Sequence, residues 1–272
     1  MFRVPISIIL VTYCSACTIG DCLTSVSREL APDDKVFVVD NASADDTVEI
    51  IESLGNSSPN PTLLRPSDNL GYSRACNIGI RESKSEVVIL LNPDTLVSPG
   101  AFQTMVQALQ APEVGSVGPL GDNAPGDQFV LKHYPEMDMQ TTREVPPTDE
   151  VIETKLLSGF CMAFRRETLD KVGLLDEDLF LGADDLEMSW RLRTMGYKLV
   201  VAKGAYVRHI SQASFASLPP GKKEEYVHAS DAAFVRKLQR YYGSTILPTS
   251  EQLFGCDIFD EALARNGAAL PR

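Results

Sequence analysis

Short runs of branched apolar residues alternate along the N-terminal half with segments whose apolar residues recur at helical spacing. Val4 to Thr12 reads as a first strand, and Lys35-Val36-Phe37-Val38-Val39-Asp40 as a second. Val87-Val88-Ile89-Leu90-Leu91 is a third, uninterrupted enough to suit a strand covered on both faces. Thr62-Leu63-Leu64 adds a short one. Between them, Ala16 to Leu30 carries Leu23, Val26 and Leu30 on one helical face. Val48 to Leu54, Tyr72 to Arg81 and Gly100 to Gln110 are also predicted helices, the first capped by the polar turn Asn41 to Thr47. This β-α-β-α rhythm predicts a mostly parallel sheet with right-handed crossovers.

From Val114 to Pro119 the rhythm changes. Gly121 to Glu150 is rich in Pro, Asp and Thr with little periodicity, which predicts a hairpin and a long surface loop. Order returns with a strand over Phe160 to Phe164, a helix over Arg166 to Val172, and a helix over Asp185 to Met195 stopped by Gly196. Tyr197 to Ala202 is another strand. Glu224 to Tyr242 is an amphipathic helix bearing Tyr226, Phe234, Val235, Leu238 and Tyr241. It is expected to pack on the sheet, with a partner or a membrane surface as the alternative. There is no internal repeat.

Composition narrows the function classes. The 272 residues carry a net charge of −12. That disfavours nonspecific nucleic-acid binding and a polybasic membrane anchor, and it means that an anionic substrate needs local help from a metal, arginines or helix N-termini. Six cysteines are present, but Cys14-x-x-Cys17 has no second pair to complete a zinc site, so reduced thiols in a cytosolic protein are expected. The apolar start superficially resembles a signal peptide, yet its β-branched content favours a buried strand. No stretch reaches the ~20 apolar residues that cross a bilayer.

Candidate chemistry lies where the strands end. Asn92-Pro93-Asp94 follows the third long strand, and proline stops the ladder there. Asp94 is thereby presented at a carboxyl end, where open α/β sheets place ligands and where a carboxylate suits a hard cation. A plain turn uses the same residue types. Thr12-Tyr13 and Asp40-Asn41 share that rim. No Gly-x-Gly-x-x-Gly follows the first strand and no P-loop motif occurs, which disfavours dinucleotide and P-loop enzymes. Asn69 to Asn77 opens a helix in which Gly71 lets backbone approach a ligand and Arg74 could meet a phosphate. Gly182-Ala183-Asp184-Asp185-Leu186-Glu187 is the densest acidic site. Helix-dipole stabilisation explains it equally well, but crowded carboxylates push a pKa upward and suit a general base. Arg191 stands one helical turn from Glu187, in reach to pair with it. Val207-Arg208-His209 ends a strand-like segment.

Together these segments resemble the inverting nucleotide-sugar glycosyltransferases of family 2, and most of all their bacterial rhamnosyltransferase-like members. The resemblance rests on Ile6 to Tyr13, Val38 to Thr47, Asn69 to Gly79, Leu90 to Asp94, Leu157 to Arg166, Val172 to Glu177 and Asp184 to Arg193, in the family's order. It implies a GT-A fold: a Rossmann-like, mostly parallel central sheet flanked by helices, with a C-terminal acceptor-side subdomain. Residues 1–215 would form the glycosyltransferase domain, 1–119 its nucleotide-sugar half and 120–215 its acceptor half, followed by a helical extension over 216–272. Thr12, Tyr13, Asp40 and Asn41 would hold base and ribose. Gly71, Arg74, Asn77 and Asn92 would line the nucleotide-sugar pocket. Asp94 and His209 would bind Mg2+ or Mn2+. Asp184-Asp185 matches the family's Glu-Asp pair, with Asp185 as base and Asp184 beside it, while Trp190 and Arg191 would face the acceptor. The sequence departs from the pattern at Cys14 (usually Asn), Asn92 (first acid of Asp-x-Asp), Asp184 (usually Glu) and Glu187 (usually Asp).

The implied activity is sugar transfer from a dTDP- or UDP-sugar to a glycan or lipid-linked acceptor in bacterial surface polysaccharide synthesis. The expected location is cytoplasmic, with peripheral contact at the inner membrane face through the C-terminal helix as the alternative. A sugar-1-phosphate nucleotidyltransferase would share an acidic metal site, but should carry a cation in the loop after the first strand, where Tyr13-Cys14-Ser15-Ala16 has none. A non-catalytic scaffold that kept the fold is the remaining alternative.

Overall fold

The computed structural model describes residues 4–54, 60–138, 144–210 and 218–268. Among these residues, nine strands form one mixed sheet in the order β3-β2-β1-β4-β8-β6-β9-β5, with β7 also on β9. The first four are β1 (Ile6–Thr12), β2 (Lys35–Asp40), β3 (Thr62–Leu64) and β4 (Val87–Leu91), and every pairing among them is parallel. They alternate with α1 (Ile19–Ser27), α2 (Thr47–Leu54) and α3 (Tyr72–Glu82). The β-α rhythm of the sequence therefore becomes a parallel half-sheet.

β5 (Thr95–Val97), α4 (Ala101–Ala108) and β6 (Val114–Leu120) follow, then β7 (Val151–Thr154), β8 (Cys161–Arg165), α5 (Arg166–Val172) and α6 (Asp184–Thr194). β8 runs antiparallel between β4 and β6 and breaks the parallel order, which resumes where β6 pairs β9. β9 (Lys198–His209) is longer than its apolar run Tyr197 to Ala202 predicted, because its second half turns to pair with β5. α7 (Lys222–Tyr242), α8 (Ser250–Phe254) and α9 (Asp260–Arg265) close the chain.

Strand alternation sorts the core. Ile6, Ile8 and Leu10 point to the face covered by α1 and α4, whereas Ile9 and Val11 point to the face covered by α3, α5 and α6. A third core joins Leu186 and Trp190 of α6 to Phe234, Leu238, Phe254 and Phe259 of the C-terminal helices. α7 thus packs on α6 rather than directly on the sheet. The described residues of 121–150 (121–138 and 144–150) are less superficial than the composition predicts: they make two 3-10 turns where a hairpin was expected, and Gln128, Val130 and Val145 are buried. Gln128 explains the burial, since its amide donates to the Pro119 carbonyl and accepts from the Ser158 N–H. The six cysteines are unbridged. Among the described residues no helix is long and apolar enough to cross a membrane.

Candidate active site

A cleft of about 260 Å3 opens at the carboxyl ends of β1, β2 and β4. Tyr13, Asn41, Asn92, Asp94, Gly159, Phe160, Phe180, Asp184, Asp185 and His209 are among the residues that line it. No lysine or arginine is among the described lining residues.

Asp94 and His209 are 115 positions apart in the chain, and strand pairing unites them. β5 runs antiparallel to β9 with Thr95 opposite His209, and the Ile210 N–H donates to the Asp94 carbonyl. His209 Nε2 then lies 3.5 Å from Asp94 Oδ1. The imidazole is stacked on Phe160, ring centroids 5.1 Å apart, and its Nδ1 is 3.2 Å from the Asn123 carbonyl. Asp122 accepts the His209 N–H at 2.6 Å, and Asn123 Nδ2 donates to the His209 carbonyl. Burial pulls the His209 pKa down, but the hydrogen bond and charge of Asp94 outweigh it, so the net shift is upward.

The acid pair opens α6 after two left-handed residues, Gly182 at φ +79° and Ala183 at φ +61°. A non-glycine residue in that region carries backbone strain, which persists only where surroundings over-determine it. Here they do. Asp185 Oδ2 accepts the Gly159 N–H at 2.9 Å and Oδ1 the Leu186 N–H at 2.8 Å. Gly159 packs against the pair: a Cβ there would stand at ordinary contact distance, 3.4 Å, from Asp184 Oδ2 and from Asp185 Cβ. Removal from water raises the pKa of both carboxyls. The charge of Asp185 and then that of Glu187 push Asp184 further up, while backbone N–H donors partly restrain Asp185.

Gly71 sits at φ +82°, and a Cβ there would fall 2.6 Å from the Phe180 carbonyl. That carbonyl accepts the Tyr72 N–H, closing the cleft wall against the start of α3. Asn41 braces the same loop, donating to the Gly71 carbonyl and accepting from the Leu70 N–H.

Several residues expected at the ligand lie outside the lining. Thr12 and Asp40 are buried and bond to each other at 3.0 Å, and Asp40 also holds Ser43. Arg74 is turned to Glu177. Asn77 is buried and clamps the Leu175 backbone at both amide ends, while also reaching Glu177. Trp190 is packed against Phe234 and Tyr241 in the third core, and Arg191 against Glu187 and the turn after α5. These side chains are consumed by packing and internal hydrogen bonds, which a motif match does not reveal. Conversely, Gly159, Phe180 and the Asp122-Asn123 clamp had no assigned role. Gly159 could have been found as a glycine just before a buried strand, a sign of close backbone approach.

The Glycosyl transferase family 2 model matches residues 7–173. Among curated relatives, an N-acetylglucosaminyl-diphospho-decaprenol L-rhamnosyltransferase from Mycobacterium tuberculosis is 26% identical, covering 74% of this chain and 75% of its own. A poly-beta-1,6-N-acetyl-D-glucosamine synthase from Staphylococcus epidermidis is 24% identical over 71% of this chain and 47% of its own. Among solved structures, a mannosyltransferase from Pyrobaculum calidifontis in complex with GDP-Man and Mn2+ superposes with TM-score 0.63 at 22% identity, covering 96% of this chain and 70% of that one. At that identity the likeness speaks to the fold, which is the GT-A fold.

Proposed function

The chain belongs to glycosyl transferase family 2, and from that premise we propose that it moves a sugar from a nucleoside-diphosphate donor to an acceptor hydroxyl with inversion, in bacterial surface-glycan synthesis. One observation carries the reading: Asp94, His209, Asp184 and Asp185, distant in sequence, line a single cleft. The donor would lie along Tyr13, Asn41 and Asn92. A dTDP- or UDP-sugar is the proposed donor, and a glycan or lipid-linked acceptor is supported by the name of the mycobacterial relative.

Asp185 is the proposed base. Its carboxylate takes the acceptor proton as that oxygen attacks the anomeric carbon. The bond from that carbon to the β-phosphate oxygen breaks, and the electron pair leaves with the nucleoside diphosphate. The transition state has oxocarbenium character, and attack from the face opposite the leaving group inverts the centre. The hydrogen bonds from Gly159 and Leu186 keep the Asp185 carboxylate oriented. Thr12 and Asp40 act from behind the rim by fixing the β1 and β2 ends, and Arg74 and Asn77 by holding the segment around Glu177.

The donor set fits a divalent cation. Asp94 and His209 offer one carboxylate and one imidazole, and no group of three or more potential ligands exists among the described residues. Such a site is completed by substrate phosphates and water, the usual arrangement for Mg2+ or Mn2+ on nucleotides. Bound there, the ion would neutralise charge on the diphosphate, which the cleft's lack of described cations leaves unmet. The missing cation also counts against a nucleotidyltransferase. The test is nucleoside-diphosphate release from dTDP- and UDP-sugars with Mn2+, beside thermal shifts with dTDP and UDP. Asp94→Ala should abolish the metal-dependent part of the shift. No metal-dependent release with any donor would favour the scaffold reading.

A further inference from the structure

Glu187 lies two residues beyond Asp185 on α6, with its side chain only 1% exposed. A carboxylate so buried is costly unless paired and fully hydrogen-bonded, and a well-packed apolar side chain would commonly serve stability as well. Two cations meet it. Arg191 donates to it from Nε and Nη2 at 3.0 and 2.8 Å, and spends its remaining donors on the carbonyls of Val172, Gly173 and Leu174. Lys237 of α7 reaches the same carboxylate at Oε1 and bonds Asp176 at 3.0 Å. Arg191 belongs to α6 itself, so it moves with Glu187. Lys237 comes from a separate helix, α7, so its contact depends on how that helix docks.

We propose that Lys237 is a positioning residue for the acid pair: by neutralising Glu187 from α7, it makes the docking of the C-terminal helices set the charge state of Asp184 and Asp185. Its kinetic consequence presupposes that the pair is the proton acceptor proposed above. The charge of Glu187 already pushes the Asp184 carboxyl upward. Removing Lys237 leaves that charge less balanced, so the pair ionises at higher pH. The other titratable groups against the pair are Tyr72 and Cys76 of α3, both driven upward by burial and therefore neutral through the working range. They cannot compensate. Asp176 shares Lys237 and is held below its ordinary value, burial being outweighed by the lysine and a backbone donor. It too is left unbalanced when the lysine goes.

The test is a carbon-13 titration of aspartate carboxyls, with the pair's signals identified by their loss in Asp184→Asn and Asp185→Asn. In Lys237→Met the upper midpoint of the pair should rise by about half to one pH unit. Lys237→Arg should restore it, and adding Glu187→Gln to Lys237→Met should bring it to or below the wild-type value. The acid limb of metal-dependent donor hydrolysis should move with it. A folded Lys237→Met protein with an unmoved midpoint overturns the proposal. Should Lys237→Met fail to fold, Glu187→Gln alone decides: a lowered midpoint supports the coupling and an unmoved one ends it. If the wild type turns over no donor, the sugar-transfer reading fails while the carboxyl titration still gives its answer.

Discussion

On the Asp94-His209 side the atoms proposed to hold the metal hang from sheet edges, fixed by the Thr95-His209 register and by hydrogen bonds from the Ile210 N–H and from the His209 N–H to Asp122. On the Asp184-Asp185 rim they hang from a helix start reached through two left-handed residues, and that helix is held by a third core and a buried ion cluster. The first rim is set by ladder geometry, which tolerates side-chain change well. The second is set by packing of the C-terminal helices, and its carboxyls are held in an environment that disfavours their charge. Function is therefore expected to be more fragile on the acid side, and stability to be traded against it there.

The largest expected effect sharpens that contrast. Asp185→Asn should lower kcat by ~10^2- to 10^4-fold, the usual worth of general base catalysis, while nucleotide thermal shifts stay at wild-type size. Steady-state kinetics beside calorimetric nucleotide binding checks it, and equal losses of both would break the division between rims. Next is Gly71→Ala, which must bear a left-handed φ and a collision with the Phe180 carbonyl. It should cost about 1–3 kcal/mol, read from urea unfolding.

Smaller and opposite in sign is Asp184→Asn. A carboxyl whose folded pKa lies above its unfolded value binds a proton on folding, so its contribution is present below the unfolded pKa and is lost as pH rises through the folded one. Near neutral pH the amide removes that penalty, and Tm should rise by ~2–4 °C for about 1 kcal/mol, with no gain at pH 4. A Tm that falls at both pH values would deny the strain. The smallest effect is Ala183→Gly. Relief of the left-handed strain and the added chain entropy of glycine nearly offset each other, so Tm should stay within about 2 °C while kcat falls.

The parallel half was legible because one rule, branched apolar runs alternating with helical spacing, governs it locally. Val36 to Asp40 and Val87 to Leu91 fell where the apolar runs placed them. β5 and β7 were not legible: Thr95–Val97 and Val151–Thr154 are short edge pieces whose strand character comes from pairing with β9. Motif matching brought Asp94, His209, Asp184 and Asp185 to one cleft, but gave ligand roles to Arg74, Asn77 and Arg191. The Glu187 partner of Arg191 was legible from its spacing of one helical turn, whereas Glu177 and Leu175, the partners of Arg74 and Asn77, are set by tertiary packing rather than by any local pattern.

The central claim is spatial: a cation and diphosphate at Asp94 and His209 must face the carboxylate of Asp185 across one cleft. A crystal structure with Mn2+ and UDP or dTDP tests it most directly, with manganese located by its anomalous signal. The account predicts the metal within coordination distance of Asp94 and His209, its diphosphate directed toward the Asp185 side, and no metal at the same place in Asp94→Ala crystals. Manganese and nucleotide bound elsewhere, or bound with the diphosphate turned away from Asp185, would contradict it.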